Sequence, residues 1–312
     1  MANSILHSAN SPKKIDSSTG FQPLEFIRGL IWKMAIAILI LMAIGSATRV
    51  MNAGLACPDW PLCYGELVPT EQMNLQVFLE WFHRLDAAAI GLMAIGLVGV
   101  CGWFRRELPR WLPWAAIGIL ATIVFQGVLG ALTVTQLLRF DIVTAHLGTA
   151  LLLFVAVLVV GLILTPYQGT GTARRWGWVS GAGAILVYFQ SLLGGLVASQ
   201  WALHQCFGNQ QLCIVMNGHI AGVVFPTVAI VILLVGAWRT PGLHPTLRKT
   251  AHLSGGLLVA QISLGVATFY LHLQVEPLTV AHQTVGALLL GSLVAFTILA
   301  MRDDSTSPIK TV

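Results

Sequence analysis

Eight long apolar runs constrain this chain more than any motif: roughly 28–48, 78–102, 112–135, 143–165, 178–199, 214–237, 250–272 and 278–300. About 20 apolar residues in helical form cross the hydrocarbon core of a bilayer. Only 9% of the residues are charged, against about a quarter in a soluble domain whose surface must face water. The pattern predicts an all-α membrane protein of eight transmembrane helices. The first 25 residues are polar and Ser-rich, with no apolar core before a small-residue cleavage site, and read as a tail rather than a signal peptide.

Charge orients the helices. If the termini and alternate loops share one side, that side holds 14 of the 17 Lys and Arg residues and the other keeps only Arg49, Arg84 and Arg139. The positive-inside rule then makes both termini cytoplasmic, in a bacterial plasma membrane. The net charge of +5 expresses this asymmetry, so it gives no support to nucleic-acid binding. Cys57, Cys63, Cys206 and Cys213 fall in outer loops, while Cys101 lies at an inner helix end. The outer face permits disulfides, and two short-range bridges are expected, Cys57–Cys63 and Cys206–Cys213.

The chain repeats itself. His83 and His146 are 63 residues apart, and so are His219 and His282. Gly45 precedes Cys57 by 12 residues, as Gly194 precedes Cys206. Two spacings in register predict two tandem pseudo-symmetric four-helix bundles, 28–165 and 178–300, with a polar linker at 166–177 and tails at 1–27 and 301–312. A finer echo runs through the odd helices: Gln126-Gly-Val-Leu-Gly130, Gln190-Ser-Leu-Leu-Gly194 and Gln261-Ile-Ser-Leu-Gly265, with Leu41 in the Gln place before Gly45. Glycines let helices approach closely in lipid, and a Gln four residues earlier shares their face. Packing plus one interhelical hydrogen bond accounts for these residues, and a border to a ligand cavity is the other reading.

The even helices carry His83, His146, His219 and His282 in or near their first turns, which puts all four imidazoles at similar depth near the outer surface. A lone histidine there is usually an interfacial residue. Four at matching repeat positions point to ligation, and facing imidazoles hold a porphyrin iron inside a four-helix bundle. Two pairs imply two haem places, one per half. Zinc is the weaker alternative, since structural zinc sites want four close ligands, usually with Cys. His204, His244, His252 and His272 lack the register, and His7 lies in the tail.

The halves differ around the first histidine. Glu80 stands three residues before His83 and Asp86 three after, so both share its helix face. The corresponding residues around His219 are Met216 and Gly222, and Ile220 replaces Arg84. The second half has ligands without acid–base equipment; the first has both. Glu80 is the catalytic candidate, with an interfacial pair to Arg84 as the bland reading. Arg84 either pairs with a carboxylate or holds a haem propionate through its forked guanidinium. The Cys57–Cys63 loop, with two prolines among five intervening residues, is stiff, and its bridge is read as structural or as a redox relay.

These residues resemble the haem a synthase family, membrane enzymes that convert haem o into haem a. The resemblance covers about 28–300 and rests on the duplicated eight-helix pattern, Cys57-Pro58-Asp59-Trp60-Pro61-Leu62-Cys63, Glu80-x-x-His83-Arg84 and the four helix-borne histidines. It implies that a ring methyl of haem o is oxidised to a formyl group by successive hydroxylations. It further implies Glu80 as the essential acid, His83 and His146 as substrate-iron ligands, and His219 and His282 as ligands of a haem b cofactor. Expected partners are the haem o substrate, the lipid bilayer, haem o synthase and an electron-transfer protein. The rival reading is a di-haem b-type membrane cytochrome that transforms no substrate, which would leave Glu80 and the long first cysteine loop without a purpose. A prenyltransferase needs clustered aspartates for magnesium and diphosphate, and no Asp-x-x-x-Asp pair occurs in the spanning region.

Overall fold

A computed structural model describes residues 21–198, 210–271 and 275–303; the side chains of 210–213 are outside that description. The described residues form helices α1 (Pro23–Val50), α2 (Leu75–Trp103), α3 (Leu112–Thr135), α4 (Phe140–Leu164), α5 (Arg174–Val197), α6 (Gln210–Gly222), α7 (Val224–Arg239), α8 (Pro245–Tyr270) and α9 (Glu276–Met301). They hold no strand, only an isolated bridge between Cys63 and Glu66. Eight segments are long and apolar enough to cross a membrane, with Ile214–Arg239 as the sixth. The protein is thus an all-helical multi-pass membrane protein, as the apolar runs predict.

Helix ends follow local chemistry rather than the limits of the apolar runs. α1 begins at Pro23, before its apolar run, because a proline's missing N–H costs nothing in the first turn. Asn74 caps α2 by accepting from Val77 N at 3.0 Å. The sixth span is interrupted at Val223, between α6 and α7. Pro226 explains the break: it has no N–H for the Gly222 carbonyl, and its ring crowds that carbonyl.

The helices close into two rings. α1 packs on α2 and α4, and α3 on α2 and α4; likewise α5 packs on α7 and α9, and α8 on α7 and α9. Between the rings α9 meets α1 and α4, while α4 meets α5. α4 and α9 accordingly bury the largest share of their spans. Phe154 and Leu158 of α4 press against Gly291 of α9, where a Cβ would come within 2.9 Å of the Phe154 ring. Without a hydrophobic drive between helices in lipid, such close backbone approach is a principal source of attraction.

The two ends of the molecule are built differently. The largest fully buried side chains, among them Phe296, Ile31, Leu97, Leu112, Ile230 and Leu247, lie toward the end that holds the 166–173 linker or near mid-span. Arg302 donates to the carbonyls of Leu162 and Thr165 at the α4 C-terminus. Asp303, nearly buried, accepts from Thr170 N at 2.5 Å and from Thr172 N and Ala173 N at 2.8 Å, beside the α5 N-terminus. Cation and anion thus each complement the adjacent helix dipole. Although burial pushes the Asp303 carboxyl up, these backbone N–H groups outweigh it and hold the group below its ordinary value. Exposed Trp103, Trp114, Trp178 and Trp238 ring this same end, as aromatic residues do at a membrane–water interface. His83, His146, His219 and His282 stand at the other end.

Candidate functional site

The site is built from the loop 51–74 downward. Cys57 and Cys63 form a disulfide with their Cα atoms 4.8 Å apart, and both are buried. Asp59 turns the loop back: its carboxylate accepts from Tyr64 N at 2.6 Å and Gly65 N at 2.8 Å. The Gly65 and Tyr64 N–H groups hold that carboxyl below the usual range against the upward push of desolvation. Further along, Trp81 of α2 donates to Leu67 O at 2.7 Å, fastening the loop to the helix.

Beneath the disulfide lies Glu80, 3% exposed. One carboxylate oxygen accepts from Cys57 N at 2.8 Å and the other from Arg84 Nη2 at 2.5 Å. The i, i+4 spacing puts both side chains on one face of α2. The same guanidinium donates to Asp59 O and Leu62 O, each at 2.6 Å, and to Cys57 O at 3.4 Å. Disulfide, Glu80 and Arg84 are therefore one unit. A buried carboxylate is costly unless paired and hydrogen-bonded, and here both conditions are met.

The four histidines repeat one packing arrangement. Each sits over the glycine of the preceding odd span: a Cβ would lie 2.8 Å from His83 Cε1 at Gly45, 3.5 Å from His146 Cε1 at Gly130, 2.9 Å from His219 Cε1 at Gly194 and 3.0 Å from His282 Cε1 at Gly265. His83 and His146 are close enough to interact electrostatically, and so are His219 and His282. The buried Nδ1 atoms of His83, His146 and His282 have no hydrogen-bond partner. Gln190 Nε2 donates to His219 O at 2.5 Å and lies 3.1 Å from His219 Nδ1. Gln261 Nε2 lies 3.3 Å from His282 Nε2, whereas Gln126 Nε2 donates only to His146 O, at 3.1 Å. Paired imidazoles with unpartnered nitrogens suit a six-coordinate porphyrin iron. Among the described residues no group of three or more His, Cys, Asp or Glu gathers as a tetrahedral zinc site would require.

Each residue expected at the site can now be located. Glu80 and Arg84 lie together under the Cys57–Cys63 loop with His83 one turn on, and His146 is close enough to His83 to act on it electrostatically. Arg84 pairs with Glu80, not Asp86. His219 and His282 stand in the same relation in the second ring. The Cys206–Cys213 pairing falls outside the described residues, because Cys206 and the Cys213 side chain are both excluded. Other features escape sequence reasoning. The anchorage of Glu80 to Cys57 N and the clamp of Arg84 on three loop carbonyls involve backbone atoms, which leave no residue signature. Arg49 of α1 donates to Ala198 O beyond α5 at 3.1 Å, joining the rings at this end. Its isolation on the poorly charged side is the signal that could have marked it.

Fold and site together define a class: a helical membrane protein whose two rings each carry a histidine pair at one end. The particular family follows from comparison. The model of the COX15-CtaA family, described as cytochrome oxidase assembly protein, matches residues 28–294, and the chain belongs to that family. It is 28% identical to a protein of Shewanella oneidensis named "Heme A synthase", over 89% of this chain and 98% of the relative. Proteins of the same name from Rhodospirillum centenum and Caulobacter sp. (strain K31) are 28% and 27% identical, over 89% and 85% of this chain and 87% and 94% of theirs.

Proposed function

We propose that this chain is a haem a synthase, an oxidoreductase that converts a ring methyl of haem o to a formyl group by successive hydroxylations. The observation that carries the reading is the pairing of histidines over glycine notches in two rings, with carboxylates beside only one pair. The two rings are read as pseudo-symmetric halves. In the second, His219 and His282 would hold a haem b cofactor. In the first, His83 and His146 would hold the iron of haem o. An iron porphyrin supplies the strong oxidation that a methyl group demands and that Glu, His and Cys side chains cannot.

The chain's own residues do the rest. Arg84 and Cys57 N hold the Glu80 carboxylate one helical turn from His83, in the position of a general base or acid for protons released as the methyl is oxidised. The disulfide loop closes the site and limits water access. The concentration of Lys and Arg at the linker end supports a bacterial plasma-membrane protein with cytoplasmic termini and the cysteine loops outside. Haem o synthase as supplier and a separate electron-transfer protein complete the reading.

The test is direct. Purified, cofactor-loaded protein is supplied with haem o and an electron-transfer partner, and the haems are extracted and separated. Haem a and its hydroxymethyl precursor are expected. Haem o recovered unchanged beside haem b would favour the di-haem cytochrome instead.

A further inference from the structure

Asp86 is the polar group that the site as described does not use. It lies three residues beyond His83 on α2, one turn farther from the cysteine loop, on the same helix face. Its Oδ2 is buried and has no hydrogen-bond partner. The nearby cation is spent: Arg84 donates to Glu80 and to the carbonyls of Cys57, Asp59 and Leu62. A carboxylate kept within a spanning helix without a partner is costly, so a donor from a bound molecule is called for.

The second half shows what fills the equivalent position there. Gly222 replaces Asp86 there, and the Gln190 side chain occupies the vacated space, its Oε1 2.6 Å from where a Cβ on Gly222 would stand. The first half makes the opposite exchange: Leu41 stands in the Gln place and Asp86 in the Gly place. An amide satisfied by its neighbouring histidine is thus replaced by a carboxylate with an open oxygen. That exchange opens a polar contact to whatever His83 presents.

On the haem o reading, on which this inference rests, the candidate donors are few. The propionates are anionic and would be repelled by a carboxylate. The remaining donor is the hydroxyl on the carbon that bears the isoprenoid chain. Its O–H donates, which is what the unpartnered carboxylate oxygen of Asp86 lacks. Haem b carries a vinyl group at that corner and would leave Oδ2 unsatisfied. We propose that Asp86 is the specificity-determining residue that hydrogen-bonds the side-chain hydroxyl of haem o and so disfavours haem b in the first half. Sites built to bond a substrate hydroxyl reject analogues that lack it, because their own polar group is stranded.

The test reads binding rather than turnover. Full-length protein with its resident cofactor, in lipid nanodiscs, is titrated with haem o, with haem b and with haem o whose hydroxyl is methylated, following the Soret difference spectrum. Wild-type protein should prefer haem o, and Asp86→Ala should narrow that preference roughly 10–100-fold, the worth of a hydrogen bond to a charged group. Asp86→Asn, which keeps a donor and an acceptor, should retain most of it. The methyl ether, which keeps the isoprenoid chain but cannot donate, should bind wild-type protein roughly 10–100-fold more weakly than haem o, a result that needs no variant to fold. An undiminished preference in Asp86→Ala, or haem o and its methyl ether binding alike, overturns the assignment. Because the proposed oxidation is judged separately by haem a formation in wild-type protein, either idea can fail alone.

Discussion

The imidazoles of the second ring carry glutamine contacts that those of the first lack. His219 and His282 both press into tight glycine notches, with Cβ positions 2.9 and 3.0 Å from their Cε1 atoms, and each has a glutamine amide against a ring nitrogen. In the first ring His83 is tight at 2.8 Å but His146 sits at an ordinary 3.5 Å. No side-chain amide reaches either ring: Gln126 bonds only the His146 backbone, and at the Gln place before His83 only the Leu41 backbone is in reach. Outer hydrogen bonds fix the orientation of metal-ligating histidines. Amide contacts on both imidazoles suit a group that stays, and a pair without them suits a group that enters, reacts and leaves. Among the described residues, the clamp of Glu80 and Arg84 on the cysteine loop belongs to the latter half alone.

The largest expected break of this comparison comes from the ligands. On the proposed reading, His219→Ala or His282→Ala should abolish the low-spin spectrum of a haem b in the second ring, while His83→Ala and His146→Ala should leave it in place and stop haem o conversion. Absorbance spectra and extracted haem content decide it. Equal loss of haem b from all four variants would show that the rings do not divide the labour.

Next is Glu80→Gln. It should keep haem b and the Cys57–Cys63 bridge but lower haem a formation by about 10²–10⁴-fold, the usual worth of general acid–base assistance. Because Glu80 is also a strut between Arg84 and Cys57 N, peptide mass spectrometry of the disulfide must accompany the rate. An intact bridge with a normal rate would reduce Glu80 to the strut alone.

Much of this was legible in the chain. Eight apolar runs give eight spans because bilayer thickness sets helix length. The Gln and Gly echo marks the notches because close packing in lipid needs small residues at fixed spacing. Glu80 and Arg84, four apart, could be seen as a pair. What was hidden runs through the backbone: the three carbonyls under Arg84, the Cys57 N–H on Glu80, and the linker N–H groups around Asp303. Any residue supplies such atoms, so nothing in the residue types foretells them. The interruption at Val223 was written in Pro226, yet apolar content alone reads through it.

A third, smaller effect tests orientation. Gln190→Leu or Gln261→Leu removes the amide from an imidazole of the second ring and should weaken haem b retention about 10–100-fold, the range seen when outer-shell partners of metal ligands are lost. Gln126→Leu, which frees only a backbone carbonyl, should leave haem b retention unchanged. Competition for haem by an apo-haem scavenger gives the comparison directly. If Gln126→Leu releases haem b as readily, the amides act on packing rather than on the ligands.

The smallest effect is graded by the notches themselves. A Cβ at Gly194 would stand 2.9 Å from His219 Cε1, closer than packed atoms tolerate, so Gly194→Ala must push the imidazole aside. Overpacking of this kind costs about 1–3 kcal/mol. Gly130→Ala meets His146 at 3.5 Å, an ordinary contact, and alanine gains about 1 kcal/mol of helix propensity over glycine. Gly194→Ala should therefore lower thermal stability and broaden or shift the haem b spectrum, while Gly130→Ala should be neutral or slightly stabilising. Gly45→Ala, with its Cβ 2.8 Å from His83 Cε1, separates clash from cofactor. It should destabilise like Gly194→Ala yet leave the haem b spectrum alone, because its imidazole serves the other ring. A disturbed haem b spectrum in Gly45→Ala would mean that His83 and His219 share one site, and the division into a holding ring and an exchanging ring would fall.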